Sequence, residues 1–212
     1  MDVVIAGGHG KIGRLLGQLL TDDGHRVRGM IRNPDHAADL EAIAVESVVF
    51  DLERDDGLAA LIEGADAAVF AAGAGPGSGA QRKQTMDRDG AIKLIDACRE
   101  TGTARYVMVS SMGARPGVTG DDVFSVYLRM KFEADEALRA SGLDYTILRP
   151  GRLTDEPGTG RIALAPDLPS RSIPRADVAA TLAIVLRAPN TSGKSFDLTT
   201  GTLPIAEAVR TA

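Results

Sequence analysis

The stretch SVYLRMKFEADEAL, residues 125–138, holds a phenol and an ammonium four residues apart, Tyr127 and Lys131. On a helix that spacing puts both groups on one side. A phenol beside an ammonium is a candidate proton donor. Free tyrosine ionises near pH 10, so proton transfer near neutrality asks for about 4 kcal/mol. One ammonium a few ångströms away in a partly desolvated cleft supplies stabilisation of that order. At about 100° per residue, Val123, Val126, Met130, Ala134, Ala137 and Leu138 form an apolar stripe, with Asp122, Arg129, Glu133 and Glu136 opposite. Tyr127 falls within the stripe. Lys131 falls at its edge between Leu138 and Phe124, away from the other charges. The competing use of Lys131 is a bridge to Asp135, although Lys preceding Asp is the weaker orientation.

A second constellation opens the chain. Residues 7–13 read GGHGKIG, in which Gly7, Gly10 and Gly13 have the spacing G-x-x-G-x-x-G. The block follows an apolar run, DVVIA (2–6), and precedes a helical pattern, IGRLLGQLL. Glycines there allow a tight turn, close approach of the backbone to a diphosphate, and close packing of helix on strand. The helix N-terminus offers N–H groups to the phosphates. The expected ligands are Gly7, Gly8, His9, Gly10, Lys11, Ile12 and Gly13, with His9 beside the diphosphate. No Gly-Lys-Ser/Thr follows, so a nucleoside-triphosphate loop is excluded.

The second strand decides which dinucleotide. An acidic residue at its end grips the ribose 2′-hydroxyl of NAD. Here the chain reads RGMIRNP, with Arg32 at that place and no carboxylate over 28–34. Arginine suits a 2′-phosphate. NADP(H) is therefore favoured, with NAD(H) possible. Asp51 and Leu52, in VVFDLE after the third strand, are expected against the adenine, with a turn cap as the other use of Asp51.

Elements must hold these groups in place. Short apolar runs alternate with helical patterns. The runs cover 2–6, 25–31, 45–50, 66–73, 105–111 and 143–151, and the helical stretches include PDHAADLEAI, DDGLAALIEG, QRKQTMDRDGAIKLIDACRE and the Tyr127 helix ending at Gly142. This predicts an α/β fold, a doubly wound parallel sheet of the Rossmann type, in one domain over 1–212. RLTDEPGTGRIALAPDLPSRSIP reads as a loop with one short strand. Together with its flanks, about 150–175, it is expected to act as a substrate lid. ADVAATLAIVLRAP (176–189) reads as a late helix and KSFDLTT (194–200) as a late strand.

The chain has 212 residues, 44% hydrophobic and 25% charged, with a formal net charge of −5. An acidic balance with 4% aromatic residues and no Trp argues against a nucleic-acid binder. Nothing in it is long and apolar enough to span a bilayer, and the N-terminus carries no targeting pattern. A cytoplasmic protein acting on a small-molecule substrate is expected, as a monomer or small homo-oligomer. His9, His25 and His36 lack metal-ligand spacing, so no metal is expected. No G-x-S-x-G elbow supports a hydrolase. The single cysteine, Cys98, reads as packing.

With the glycine block, Arg32, AAGAG (71–75), VSSMGA (109–114), Tyr127 with Lys131, and LDYTILRPG (143–151), the chain resembles the short-chain dehydrogenase/reductase superfamily. The match is closest to its atypical single-domain NAD(P)-binding branch. The resemblance implies Tyr127 as proton donor or acceptor, and Lys131 as the residue that tunes it and touches the nicotinamide ribose. It implies Ser111, rather than Ser110, as the group holding the substrate oxygen, and Asp89 in place of the family's Asn. It also implies that Ala71, Ala72 and Gly73, and Pro150, Gly151, Arg152 and Leu153, lie along the cofactor. The function so implied is an NADP(H)-dependent oxidoreductase for a small carbonyl, quinone or flavin-like substrate. A non-catalytic redox sensor and a sugar epimerase or dehydratase are the alternatives. Arg32→Ala is expected to weaken NADP(H) by about 1.5–3 kcal/mol and to leave NAD(H) nearly unchanged. Calorimetric titration checks this, and equal wild-type affinities for the two cofactors would remove its basis.

Overall fold

A computed structural model describes residues 1–75 and 77–212. The first half alternates β1 (Asp2–Ala6), α1 (Lys11–Asp22), β2 (Arg26–Ile31), α2 (Ala37–Glu41), β3 (Glu46–Val49), α3 (Leu58–Ile62) and β4 (Ala67–Phe70). Then come α4 (Ala80–Arg82), a π-helical stretch Lys83–Gly90, α5 (Ala91–Thr101), β5 (Arg105–Val109), α6 (Val123–Ala140) and β6 (Asp144–Pro150). The last part holds β7 (Arg152–Thr154), β8 (Arg161–Ala165), β9 (Ser172–Pro174), α7 (Arg175–Val185), β10 (Lys194–Thr200), β11 (Leu203–Pro204) and α8 (Ile205–Arg210).

Among the described residues nine strands form one sheet in the order β11-β8-β10-β6-β5-β4-β1-β2-β3. From β3 to β10 every neighbour is parallel, and β8 runs antiparallel to both β10 and β11. This is the doubly wound Rossmann order. Chain direction across the sheet reverses between β1 and β4, opening a crevice at the carboxyl ends of the strands. The strands there are apolar on both faces because both are covered: Val3 to Ala6, Ala67 to Phe70 and Tyr106 to Val109 are all buried. One core layer joins Leu16 and Leu20 of α1 to Val178 and Leu182 of α7. The other joins Leu94 and Ile95 of α5 to Leu138 of α6 and Met108 of β5.

α6 starts where Asp122 accepts hydrogen bonds from the Phe124 and Ser125 amides, each at 3.0 Å. It ends before Gly142, whose φ of +80° breaks the helix as expected. Its stripe differs from the expectation at the first turn. Val123 is exposed, and Leu128 is buried instead, against Gly113. Phe124 in the same turn is exposed as well, so that turn is not packed on the core. Further along, Arg149 of β6 donates to Asp135 at 2.8 and 3.0 Å. Burial pushes the Asp135 carboxyl up despite the Arg149 charge. Lys131 therefore has no claim on Asp135.

Two local expectations give way to tertiary pairing. The segment after Gly151 holds three strands rather than one. β7 pairs with β9 through Leu153 and Ile173, and β8 joins the main sheet through β10. The expected single helix over 81–100 is interrupted by the π-helical stretch.

Among the described residues no helix is long and apolar enough to cross a membrane. Cys98 lies on the inner face of α5 with no exposed surface, and burial pushes its thiol up to about 12. It is therefore a protonated packing group at physiological pH. A thiol reagent is expected to label it only after denaturation; rapid labelling of the folded chain would contradict the packing.

Candidate active site

The glycine block forms a closed joint. Gly7 has φ +85°, and a Cβ there would lie 2.8 Å from Ala72 Cα. A Cβ on Gly8 would lie 2.7 Å from Gly29 Cα, and one on Gly13 would lie 2.2 Å from the Gly7 oxygen. These contacts set α1 directly against β1, β2 and β4. Gly10 caps α1 with no side-chain hydrogen bond, so the first-turn amides of Lys11, Ile12 and Gly13 are left for an anion. Gly8 and Ile12 are buried, while His9, Gly10 and Lys11 reach the surface.

Beside the joint lies a cavity of about 400 Å³, lined by Gly7, Gly10, Arg32, Asp51, Leu52 and the Ala71–Gly73 backbone. Its size and position suit the adenosine half of a dinucleotide. Arg32 Nη1 lies 3.6 Å from Glu53. Burial works to raise the Glu53 carboxyl, but hydrogen bonds from Thr85 (2.6 Å) and Arg82 (3.0 Å) and the Arg32 charge hold it below its ordinary value. Two arginines thus face one carboxylate at the cavity rim. Asp51 is on the wall and also caps its own turn, accepting from the Glu53 amide at 3.0 Å. Of the two uses foreseen for it, the turn cap is present. His9 pairs with Asp39 at 2.7 Å and stacks on His36, with ring centroids 3.7 Å apart.

On the other side of the crevice is a larger cavity of about 990 Å³. Ser111, Tyr127, Pro150, Gly151, Arg152 and Leu153 line it, with Phe124 and Arg115. Ser110 is buried behind the wall, so of the two serines Ser111 is the one that faces the cavity. Tyr127 is half-buried and stacks with exposed Phe124 at 6.0 Å. Arg115 is bound to Asp197 at 2.6 Å. Asp155, just beyond β7, joins Lys11 and Arg175, each at 2.6 Å. The Lys11 hydrogen bond and the Arg175 charge hold its carboxyl low, and the pair ties the segment after β6 to the glycine block.

Lys131 is fully inside, 3% exposed, rather than at the edge of the stripe. Its Nζ donates to the Val109 carbonyl at 3.2 Å and lies 3.4 Å from Asp87. The acidic residue beside Lys131 is therefore Asp87. Asp89, expected there, points outward, about half exposed, and pairs with Arg88 at 2.6 Å. Counted back from the buried Ala91, Leu94, Ile95 and Cys98, the inner positions of this helical run are Lys83, Met86, Asp87 and Gly90, which leaves Asp89 on the outer side.

Residues 7–189 match the family model described as NAD(P)H-binding. The chain belongs to that NAD(P)H-binding family. A Bacillus subtilis relative named "Uncharacterized sugar epimerase YhfK" is 41% identical over 212 residues, covering 99% of each chain. A Bacillus halodurans structure, provisionally named an NAD-dependent epimerase/dehydratase, is 38% identical with a TM-score of 0.94 over 100% of both chains. ChuY, an anaerobillin reductase from Escherichia coli, is 26% identical with a TM-score of 0.78, covering 96% of this chain and 98% of its own.

As in any NAD(P)H-binding chain, the ligand is a nicotinamide dinucleotide, and the glycine joint, the uncapped α1 amides and the adenosine-sized cavity fit it. Two residues at this site stand outside the sequence expectations, Lys83 and Asp87. Both sit on the buried side of the π-helical stretch. The available signal is helical spacing: Lys83, Met86, Asp87 and Gly90 continue the series of buried positions Ala91, Leu94, Ile95 and Cys98 at i, i+3, i+4 and i+7. Asp87→Ala is expected to cost about 3–5 kcal/mol in denaturant unfolding, because it leaves the Lys131 ammonium buried without its partner. Asp89→Ala should unfold like wild type. The reverse order would move the partner of Lys131 back to Asp89.

Proposed function

We propose that the protein is an NADP(H)-dependent oxidoreductase of the short-chain dehydrogenase/reductase type, acting on a small carbonyl, quinone or flavin-like substrate. The observation that carries this is the shared wall: Ser111 from the end of β5 and Tyr127 from α6 line one cavity at the carboxyl edge of the sheet. The name of ChuY, a reductase of similar fold and length, is consistent with that chemistry.

The bound nicotinamide would supply the hydride. Ser111 would hold the substrate oxygen by a hydrogen bond from its hydroxyl. Tyr127 would donate its phenolic proton to that oxygen as negative charge develops there. Lys131, fixed between Val109 and Asp87, would hold α6 against β5 and keep Tyr127 at the cavity wall. Asp89 has no part in this arrangement. The preference for the phosphorylated cofactor rests on Arg32 at the adenosine cavity and on the lack of a carboxylate at the end of β2.

A second reading, sugar epimerisation, has the names of two similar proteins in its favour. It would use the same Tyr127 and cofactor without net consumption of the cofactor. The two are separated by assaying NADPH oxidation with aldehydes, ketones, quinones and flavins alongside conversion of nucleotide sugars. Tyr127→Phe removes one hydroxyl, so folding and NADP(H) binding should be nearly unchanged while turnover falls about 10²–10⁴-fold. Full activity of Tyr127→Phe on an accepted substrate would end the proton-donor role.

A further inference from the structure

We propose that Lys83 is the cation that stabilises negative charge on the Tyr127 oxygen, a role that rests on the proton-donor reading of Tyr127 given above. Lys83 opens the π-helical stretch and is only 8% exposed. Its Nζ donates to the Gly75 carbonyl at 2.9 Å and lies 5.4 Å from the centre of the Tyr127 ring. Among the described residues no carboxylate stands within ion-pair distance of it. Taking an ammonium out of water costs several kcal/mol unless electron-rich groups receive it. Here those groups are one carbonyl and one aromatic face.

Lys131 is placed differently. Its ammonium faces Asp87 at 3.4 Å, the Val109 carbonyl at 3.2 Å and the Phe70 ring at 5.3 Å. A cation and an anion that close have little net field a few ångströms further out. The sequence makes Lys131 the obvious partner of Tyr127, yet the uncompensated charge beside the phenol belongs to Lys83.

The contact also has the right differential. Against a neutral phenol it is a cation–π interaction. When the O–H bond of Tyr127 breaks, the proton bonds to the substrate oxygen and the electron pair stays on the phenolic oxygen. The same ammonium then faces a full negative charge, and the interaction becomes an ion pair. Water returns the proton to Tyr127 afterwards. An interaction stronger after proton transfer than before it favours the transfer.

The test needs no substrate. In the full chain, ionisation of Tyr127 is followed by tyrosinate absorbance, with Tyr127→Phe subtracted to remove Tyr106 and Tyr145. Lys83→Gln keeps a donor for the Gly75 carbonyl and removes the charge. It should move the Tyr127 midpoint upward, because the charge that favours the phenolate is gone. Lys83→Arg should restore the wild-type midpoint, and it carries the comparison with Lys131→Met if Lys83→Gln does not fold. Lys131→Met should move the midpoint less than Lys83→Gln does. Equal midpoints in wild type and Lys83→Gln, or a larger displacement in Lys131→Met than in any Lys83 variant, overturn the proposal. Because this readout is independent of turnover, it separates failure of the Lys83 role from failure of the proton-donor reading. The latter alone is decided by the activity of Tyr127→Phe.

Discussion

Backbone meets backbone at Gly7, Gly8 and Gly13, and the rest of the site depends on that contact. With side chains absent, α1 starts against Ala72 at the end of β4 and Gly29 in β2. That brings the α1 N-terminus over the point where the strand order reverses. The crevice, the uncapped amides and the approach of the Ala71–Gly73 backbone are consequences of one joint. Any Cβ placed at Gly13 would meet the Gly7 oxygen and push α1 off the sheet.

Charge is distributed along the crevice by compensation. Glu53 is shared by Arg82, Thr85 and Arg32 at the adenosine end. Asp155 is shared by Lys11 and Arg175 at the middle, and Asp197 by Arg115 and the Leu168 amide at the far end. Lys131 and Asp87 form a closed pair beneath the floor. Since an uncompensated buried charge is costly, the places where compensation is incomplete are the informative ones. Lys83 beside Tyr127 is such a place.

The segment between β6 and α7 closes this arrangement. β7 and β9 pair with each other, β8 adds an antiparallel strand beyond β10, and Asp155 reaches back to the glycine block. Leu153 and Arg152 on that segment face the same cavity as Tyr127 and Ser111. Groups distant in the chain thereby share one wall. A small domain can in this way present a substrate-sized cavity without a separate substrate domain.

The sequence by itself determined the doubly wound sheet, because continuously apolar strands separated by amphipathic helices have few other ways to bury both faces. It determined the glycine joint, because only glycine tolerates φ of +85° at Gly7 and the close contact at Gly13. It also marked Tyr127 and Ser111, which the structure sets on one wall, and Arg32, which lines the smaller cavity beside the glycine joint. Tertiary structure decided which acid stands beside Lys131. The family resemblance points to Asp89, whereas the inner side of this helical run carries Asp87. The same run carries Lys83 to the Tyr127 ring, which no spacing rule could anticipate. The strands after Gly151 were illegible for a similar reason: their hydrogen-bond partners lie far along the chain, so their local pattern was that of a loop. Local periodicity reports what a segment buries; it does not report which distant charge it will meet.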